Sequence, residues 1–588
     1  MPETGAPVAS GAQALGAMGD APAREMQGPP ELAGAARGAR AHRRFARSPW
    51  VLALALAAGA VHAASFAPAD LPWLELLALA CGLYLASAAT STGTAARIGL
   101  AFGLGWFGVG VSWTYISLHK YGELAAPIAV VACAALAALL ALFPAVAAGA
   151  AALAGPPRSA RRAFGLAGAW TLAEWARGVA FGGFPWVATG YAHADGPLAG
   201  FAPVLGVYGI GAIAALLATL PLWALGTLWS ARAGGAGRTR RMPAVLALIA
   251  CLGLPAAGQM LRSQEWSRPQ GAPIKVRLVQ GDIPQDLKFG AEGLDRAVER
   301  YLPMLLAQVP PGTRMARAPV TDPARTPAEV AAAAPDLIVF PESAFPVPVN
   351  ELPDYVLQAV GDPQLRSGAA LIMGIFIAER GFRYYNSAIG LGPDPGDPQR
   401  YSKRHLVPFG EFIPFGMHWF VQMLNIPIGD QEAGDQYQAP MSLAGERVAV
   451  NICFEDLFGA DILAAWHDPK QAPTLLLNLS NLAWFDDSWA LPQHLQASRM
   501  RAMETARPLL RATNTGVTAI IDEHGRVLAK LPIRTAGALE GLVQGRSGST
   551  PFIAWGNAPT LLFAALAWGA CFLRERQTAR AVADPAAA

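Results

Sequence analysis

Apolar residues are distributed along this chain in two different ways. From residue 49 to 261 they gather into long stretches, at about 49–66, 70–89, 95–117, 125–154, 163–182, 203–229 and 242–261, with one more at about 553–573. A helix needs roughly 20 apolar residues to cross a hydrocarbon core about 30 Å thick, and most of these stretches reach that length, the first being marginal. The pattern predicts about eight spanning helices, about seven of them in a membrane domain over 49–262 and the last at 553–573. Between 263 and 552 the apolar residues come instead in short β-rich runs: "IKVRLVQGD", "DLIVF", "AALIMGIFI", "YYNSAIGLG", "RVAVNI", "PTLLLNLS" and "GVTAIID". Helical spacing separates them, which predicts a layered α/β or α+β domain rather than a bundle. Segment 309–335 is rich in Pro and Ala and predicts a flexible insertion.

Composition agrees with a chain that lies largely in a bilayer: 588 residues, 53% hydrophobic and only 15% charged. Residues 1–48, rich in Ala, Gly, Pro and Arg, predict a disordered tail. The net charge of +3 is small and its basic residues sit beside apolar stretches, which argues against a nucleic-acid partner. Arg37, Arg40, Arg43, Arg44 and Arg47 precede the first stretch; Arg158, Arg161 and Arg162 follow the fourth; Arg232, Arg238, Arg240 and Arg241 follow the sixth; Arg574, Arg576 and Arg580 follow the last. If every stretch crosses, all of these face the cytoplasm, together with the tails 1–48 and 574–588, and the block 263–552 lies outside. The Arg-rich start followed by "VLALALAAGAVHAAS" also fits a cleavable signal peptide, which would leave the sidedness of the rest unchanged.

Four of the five cysteines, Cys81, Cys133, Cys251 and Cys571, lie inside apolar stretches. Cys453 alone lies in the polar block, after the strand pattern Val448 to Ile452, and no Cys/His spacing suggests a metal site. A cysteine at a strand-to-helix turn has the placement a nucleophile needs, and a helix start there would favour its thiolate. Two other chemical groups follow strand patterns: Glu342 in "LIVFPESAFP", and Lys403 with Glu411 in "YSKRHLVPFGEFIP", bracketed by Pro408 and Pro414.

In that order, "PES", "KRHLVPFGE" and "NICFED" resemble the Glu-Lys-Cys triad of the nitrilase superfamily, and with the membrane part the chain resembles the apolipoprotein N-acyltransferase family. "GVSWTYISLHKYG", "TLAEWARG", "GGFPWVATGYAHADGPLAG", "GVYGIGA", "VQGDIPQDLK", "NLSNLAWF" and "RMRAMETARPLLRATNTGVTAI" extend the likeness over nearly the whole chain. The resemblance implies a multi-span α-helical membrane domain carrying an extracytoplasmic α-β-β-α sandwich, in the bacterial inner membrane with the catalytic domain on the periplasmic side. It implies that Cys453 is the nucleophile, Glu342 the general base and Lys403 the cation at the oxyanion. Glu411 and Glu455 match further acids of the family's site, and Asn481 and Trp484 match wall positions. The implied partners are a membrane phospholipid as acyl donor and a diacylated apolipoprotein as acceptor, without metal or cofactor.

The chain departs from the family where Phe289 replaces a common Trp and Phe454 a common Tyr, which keeps an aromatic face and removes a polar handle. Leu482 and Asp486 stand where the family usually has Asp and Gly. His405 and His494 suggest a Cys-His hydrolase, but Glu342 and Lys403 already supply the proton acceptor and the cation, so both histidines are expected to be structural. Two other readings remain at this point. One is a membrane-anchored amidase using water; the other is a transporter, for which Glu174 and Arg177 would be cited, although residues three apart on one helix face are expected to pair with each other.

Overall fold

The computed structural model describes residues 48–232, 241–290, 292–306, 309, 311–320, 324–381, 383–393, 396, 398–413, 416 and 431–583. The Arg-rich tail, Arg238, Arg240 and Pro414 lie outside the described residues.

A helix stands over each long apolar stretch: α1 (Pro49–Ala64), α2 (Pro72–Ala88), α3 (Thr92–Gly110), α4 (Ala126–Ala152), α5 (Ala160–Arg177), α6 (Ala202–Arg232) and α7 (Arg241–Arg262). Small residues let these helices touch backbone to backbone. A Cβ on Gly59 would meet Phe102 O at 1.9 Å and one on Gly105 would meet Leu56 O at 1.9 Å, so α1 and α3 pack at a distance that only glycine permits. By length and apolarity α4, Pro197–Ala231 and α7 can each cross a membrane, and α3 with the turn Thr114–Tyr121, bent by 59°, makes a fourth candidate; α1 and α2 are shorter apolar helices. Only 22% of the apolar window of α4 and 17% of that of α7 is buried, against 78% for Pro197–Ala231. The α6 segment is therefore the centre of the helical part, and α4 and α7 turn apolar flanks outward.

Glu174 and Arg177 do pair, at 3.7 Å, and both also hold the segment after α5. Arg177 Nη1 donates to Trp186 O at 2.9 Å and Glu174 Oε1 accepts from Thr189 N at 2.9 Å. Two polar groups that a transport reading would cite thus serve as caps for a buried, irregular loop.

The polar block forms two main sheets. Its strands are β1 (Ile274–Gln280), β2 (Arg314–Arg317), β3 (Leu337–Phe340), β4 (Ala370–Glu379), β5 (Arg383–Leu391), β6 (Gln399–Ser402), β7 (Met441–Leu443), β8 (Glu446–Ile452), β9 (Leu475–Ser480), β10 (Leu509–Thr513), β11 (Ala519–Ile521), β12 (Val527–Lys530) and β13 (Gly537–Val543). One sheet runs β2-β13-β1-β3-β4-β5-β6 and the other β12-β11-β10-β9-β8-β7. Their central pairs, β1 with β3, β3 with β4, β8 with β9 and β9 with β10, are parallel and almost wholly buried, which explains why these strands read as continuous apolar runs. Alternate residues face one shared core, in which Val276, Leu278, Val339 and Ile372 of the first sheet meet Val450, Ile452, Leu477 and Leu510 of the second. The opposite face of the first sheet packs on α9 (Gly293–Tyr301) and α10 (Asp354–Gly361) through Val279, Ala297, Tyr301, Val356 and neighbours, and the one-turn helix α8 (Gln285–Lys288) precedes α9. That of the second packs on α11 (Ala490–Thr505) through Leu495 and Ala502. The last helix, α12 (Ala558–Ala583), packs back on α5.

The expectation of a flexible insertion over 309–335 needs correction. Arg314–Arg317 is an edge strand, β2, paired in parallel with β13, and Thr326 caps the helix Pro327–Ala332 in a reciprocal box with Glu329. Its strand partner is remote in sequence, so local composition could not reveal it.

Candidate active site

Every expected reacting group lies just past the carboxyl end of a strand. Lys403 is the first residue after β6, Cys453 after β8 and Asn481 after β9, while Glu342 follows β3 by two residues. Parallel strands bring those ends to one edge, where side chains can leave the core and meet. Glu342 is carried close to β4 because Gly374 has no side chain there: a Cβ on it would stand 2.5 Å from the Glu342 Cα.

Glu342, Lys403 and Glu411 are all buried. Lys403 Nζ donates to Glu411 Oε1 at 2.7 Å and stands 3.5 Å from Glu342 Oε1. The Asn386 amide donates to the same two oxygens, at 2.8 Å to Glu342 and 2.9 Å to Glu411. The other Glu342 oxygen accepts from the Asn481 backbone N–H at 2.6 Å, and Glu411 Oε2 accepts from Val407 N at 2.8 Å. Burial works against the Lys403 ammonium, but Glu411, Cys453 and Glu342 together hold its pKa far above the ordinary lysine value.

Cys453 is half-buried and has φ 59°, a left-handed conformation unusual for a residue with a side chain. The turn after it, Cys453–Leu457, is a short 3-10 turn rather than an α-helix start. Burial raises the thiol well above its ordinary pKa, the Glu342 carboxylate raises it further, and Lys403 opposes them. The expected thiolate is therefore corrected: the resting group is a thiol, because no helix dipole supports the anion and carboxylates face it.

Glu455 is saturated. Its Oε1 accepts from the Arg404 and His405 backbone N–H groups at 2.7 and 3.0 Å, and its Oε2 from Ile452 N at 2.6 Å and the Tyr401 hydroxyl at 2.9 Å. It clamps the Lys403 loop to the strand that carries Cys453. Phe454 lies 5.5 Å below the Lys403 ammonium and edge-on to His405. Phe289 and Trp484 stand farther out. Phe289 is exposed and contacts Phe376, whereas Trp484 turns to the helical part, with its ring 5.9 Å from Tyr121 and its carbonyl accepting from Ser117 Oγ at 2.9 Å.

Both histidines hold structure together. His494 is fully buried against Asp456 at 2.7 Å and Arg511 at 2.6 Å and stacks on Trp186. His405 stacks on Phe458, meets Asp461 at 3.0 Å and reaches Gly182 O of the segment after α5 at 2.5 Å. Leu482 is buried beneath Gly516, a core position rather than a site position. Sequence reasoning overlooked Asn386, although a lone amide inside the apolar run "YYNSAI" was a visible signal. It also overlooked Gln285 and Asn514, whose side chains fix Asn481 at 2.9 and 3.0 Å.

A thiol beside an acceptor carboxylate and a lysine can transfer an acyl group through sulfur. Comparison with known proteins narrows the family. The family model described as apolipoprotein N-acyltransferase N-terminal domain matches residues 58–220, and the carbon-nitrogen hydrolase model matches 275–551. Among curated relatives, the apolipoprotein N-acyltransferase of Ralstonia nicotianae is 43% identical over 540 residues, covering 91% of this chain and 96% of that protein. That of Bordetella bronchiseptica is 42% identical over 563 residues, covering 90% and 97%. That of Methylococcus capsulatus is 37% identical over 535 residues, covering 90% and 96%. Helical part and two-sheet part are thus matched in one order over nearly full length, and the chain belongs to the apolipoprotein N-acyltransferase family.

Proposed function

We propose that the protein transfers a fatty acyl group from a membrane phospholipid, through a thioester on Cys453, to the N-terminal amine of the diacylglyceryl-cysteine of apolipoproteins. The observation that carries this reading is that Glu342, Lys403 and Cys453 follow the carboxyl ends of β3, β6 and β8, with Glu342 and Lys403 within 3.5 Å of each other, in a chain whose relatives are named apolipoprotein N-acyltransferases. Glu342 takes the thiol proton as sulfur attacks the ester carbonyl, and Lys403 stabilises the oxyanion. Collapse of the intermediate breaks the ester bond, and the departing lysophospholipid oxygen takes the proton from Glu342. The neutral amine of the acceptor then attacks the thioester, Glu342 removes its extra proton, and that proton returns to the sulfur as the C–S bond breaks. One site serves two lipid substrates in turn.

The architecture that suits this chemistry is a multi-pass protein of the bacterial inner membrane, with about seven spans over 49–262 and a final span at 553–573. The 263–552 domain is then a periplasmic α-β-β-α sandwich, and 1–48 and 574–588 are cytoplasmic tails. The arginine distribution supports that orientation, and the shared core between two helix-backed sheets supports the sandwich. Incubating the purified protein with labelled phospholipid and a diacylated lipopeptide tests the reading. Label should pass first to Cys453 and then to the peptide amine. Release of free fatty acid alone would establish hydrolysis, with water rather than the peptide amine as acyl acceptor, and absence of both products would remove the enzymatic reading.

A further inference from the structure

Three polar residues stand side by side among the apolar residues of the second sheet. Asn451 on β8, Asn478 on β9 and Arg511 on β10 occupy matching register positions, and all three are buried. Polar groups in a core destabilise it unless each finds a partner, so such a row calls for a reason. Asn478, at its centre, supplies one. Its Nδ2 donates to the Cys453 carbonyl oxygen at 2.8 Å and to Asn451 Oδ1 at 2.6 Å, while its Oδ1 accepts from Ser480 Oγ at 2.6 Å and Arg511 Nη1 at 3.0 Å. A carbonyl can only accept and a guanidinium can only donate, so this amide has a single orientation that satisfies both.

The row grips the turn Cys453–Leu457 at two points. Asn478 holds the carbonyl of its first residue, and Arg511 Nη1 meets the Asp456 carboxylate near its end at 3.2 Å. Cys453 itself has φ 59°, a region where a residue with a side chain does not settle unaided. Its Cβ and its carbonyl carbon are both borne by Cα, so any change of φ that frees the carbonyl from Asn478 swings the sulfur through the same angle. In a planar trans peptide the C=O and N–H point to opposite sides. With the Cys453 carbonyl turned toward Asn478, the Phe454 N–H on the other edge faces the Cys453 sulfur. One hydrogen bond from β9 thus fixes the peptide after the cysteine and the direction of its side chain together.

Resting on the reading of Cys453 as the nucleophile, we infer that Asn478 is a positioning residue for acyl transfer: by holding the Cys453 carbonyl it keeps that backbone left-handed and the sulfur aimed at the site that Glu342 and Lys403 line. Asn478 is fully buried and serves the sulfur through the main chain, so no proton or acyl group passes through it. His494, 2.7 Å from Asp456, also faces this carbonyl, so removing Asn478 loosens the turn without freeing it completely.

The test is the single-turnover rate of Cys453 thioester formation from labelled phospholipid, in the full-length protein. Rates are expressed per competent site, counted by exhaustive iodoacetamide labelling mapped to Cys453. N478V removes the donor to the Cys453 carbonyl and leaves a side chain suited to a buried strand. N451V makes the same change one strand away, where the bond to Asn478 is lost and the one from Asn478 to Cys453 remains. Displacing a reacting group by about 1 Å can cost roughly a hundredfold, so N478V should slow the rate at saturating phospholipid by at least about tenfold. The half-saturating phospholipid concentration should not move, because Asn478 touches the turn and not the lipid. N451V should lower the melting temperature as well, yet keep the parent rate per site. A parent-like rate per site in N478V, an equal loss in N451V, or a loss that appears only in the number of sites or in half-saturation would overturn the inference. If N478V does not fold, N478L, branched at Cγ as asparagine is, gives the same comparison. Absence of a Cys453 thioester in the parent protein would instead count against the proposed function.

Discussion

The Lys120 ammonium, in the turn after α3, meets the Asp486 carboxylate, in the loop after β9, at 2.5 Å. Arg534 pairs with the same carboxylate. Asp486 has φ 47° and ψ −147°, a backbone conformation close to one that glycine alone adopts without strain. The pair thus joins the helical part to the site rim at a residue whose own backbone opposes it.

Two replacements separate these contributions. Lys120 is 52% exposed, so solvent screening leaves the ion pair worth no more than about 1 kcal/mol. D486A loses the pair and keeps the strain; D486G loses the pair and relieves it. D486G should be the more stable of the two by about 1–3 kcal/mol. Unfolding of both in the same detergent checks this, and an order in which D486A is the more stable would show that the turn carries no strain.

Cys453 and Glu342 make a second prediction, in which two rates move in opposite directions. Because the Glu342 charge raises the thiol pKa, E342Q should lower it and speed alkylation of Cys453 by iodoacetamide at neutral pH. The same change removes the proton acceptor and should slow thioester formation from phospholipid by at least about a hundredfold. In the parent, alkylation should be slow at pH 7 and rise through the alkaline range. Slower alkylation in E342Q would mean that the carboxylate activates the thiol at rest rather than during attack.

Glu455 offers a third. With four donors on two oxygens, it has no place for an amide NH2 group. Whichever way the E455Q amide turns, its NH2 faces a backbone N–H, that of Ile452 on one side or those of Arg404 and His405 on the other, and leaving a buried donor unpaired costs about 1–3 kcal/mol. Acylation should fall because the Lys403 loop loses its anchor, with Lys403 chemically intact. Raising the pH should not restore the rate, whereas recovery at high pH would make Glu455 a proton carrier.

A fourth concerns Gly374. Its missing side chain admits the Glu342 backbone, and G374A forces a contact of 2.5 Å to open. Overpacking of this kind costs about 1–3 kcal/mol and here displaces the base. The variant should lower the melting temperature modestly and the acylation rate strongly. A normal rate would show that Glu342 tolerates a shifted backbone.

How much of this was legible in the chain follows from the reach of each interaction. β1, β3, β4, β8 and β9 are buried on both faces, so their apolar runs announced them, and the polar residues at their ends marked the site. β2, β6, β7, β10, β12 and β13 are not among the predicted runs: β2, β6, β7 and β12 are only three or four residues long, and β10 and β13 interrupt their apolar residues with Arg511 and Glu540, which find buried partners only in the fold. Lys288 reads in "PQDLKF" as one more solvated lysine, and only the fold buries it. The thiolate expectation failed for the same reason: the turn after Cys453 was judged locally, and the carboxylates that set its proton affinity arrive from other strands.

The left-handed backbone of Cys453 carries a consequence for how this protein would change under selection for robustness alone. A side chain at φ 59° costs about 1–2 kcal/mol relative to an ordinary conformation, a cost that glycine escapes in exchange for about 0.5–1 kcal/mol of lost chain freedom. On these figures a glycine would fit the turn at least as well as the nucleophile does. The cysteine is kept against the folding preference of its own position, so a search that rewarded thermal resistance without assaying turnover would drift toward a sturdier and inert molecule.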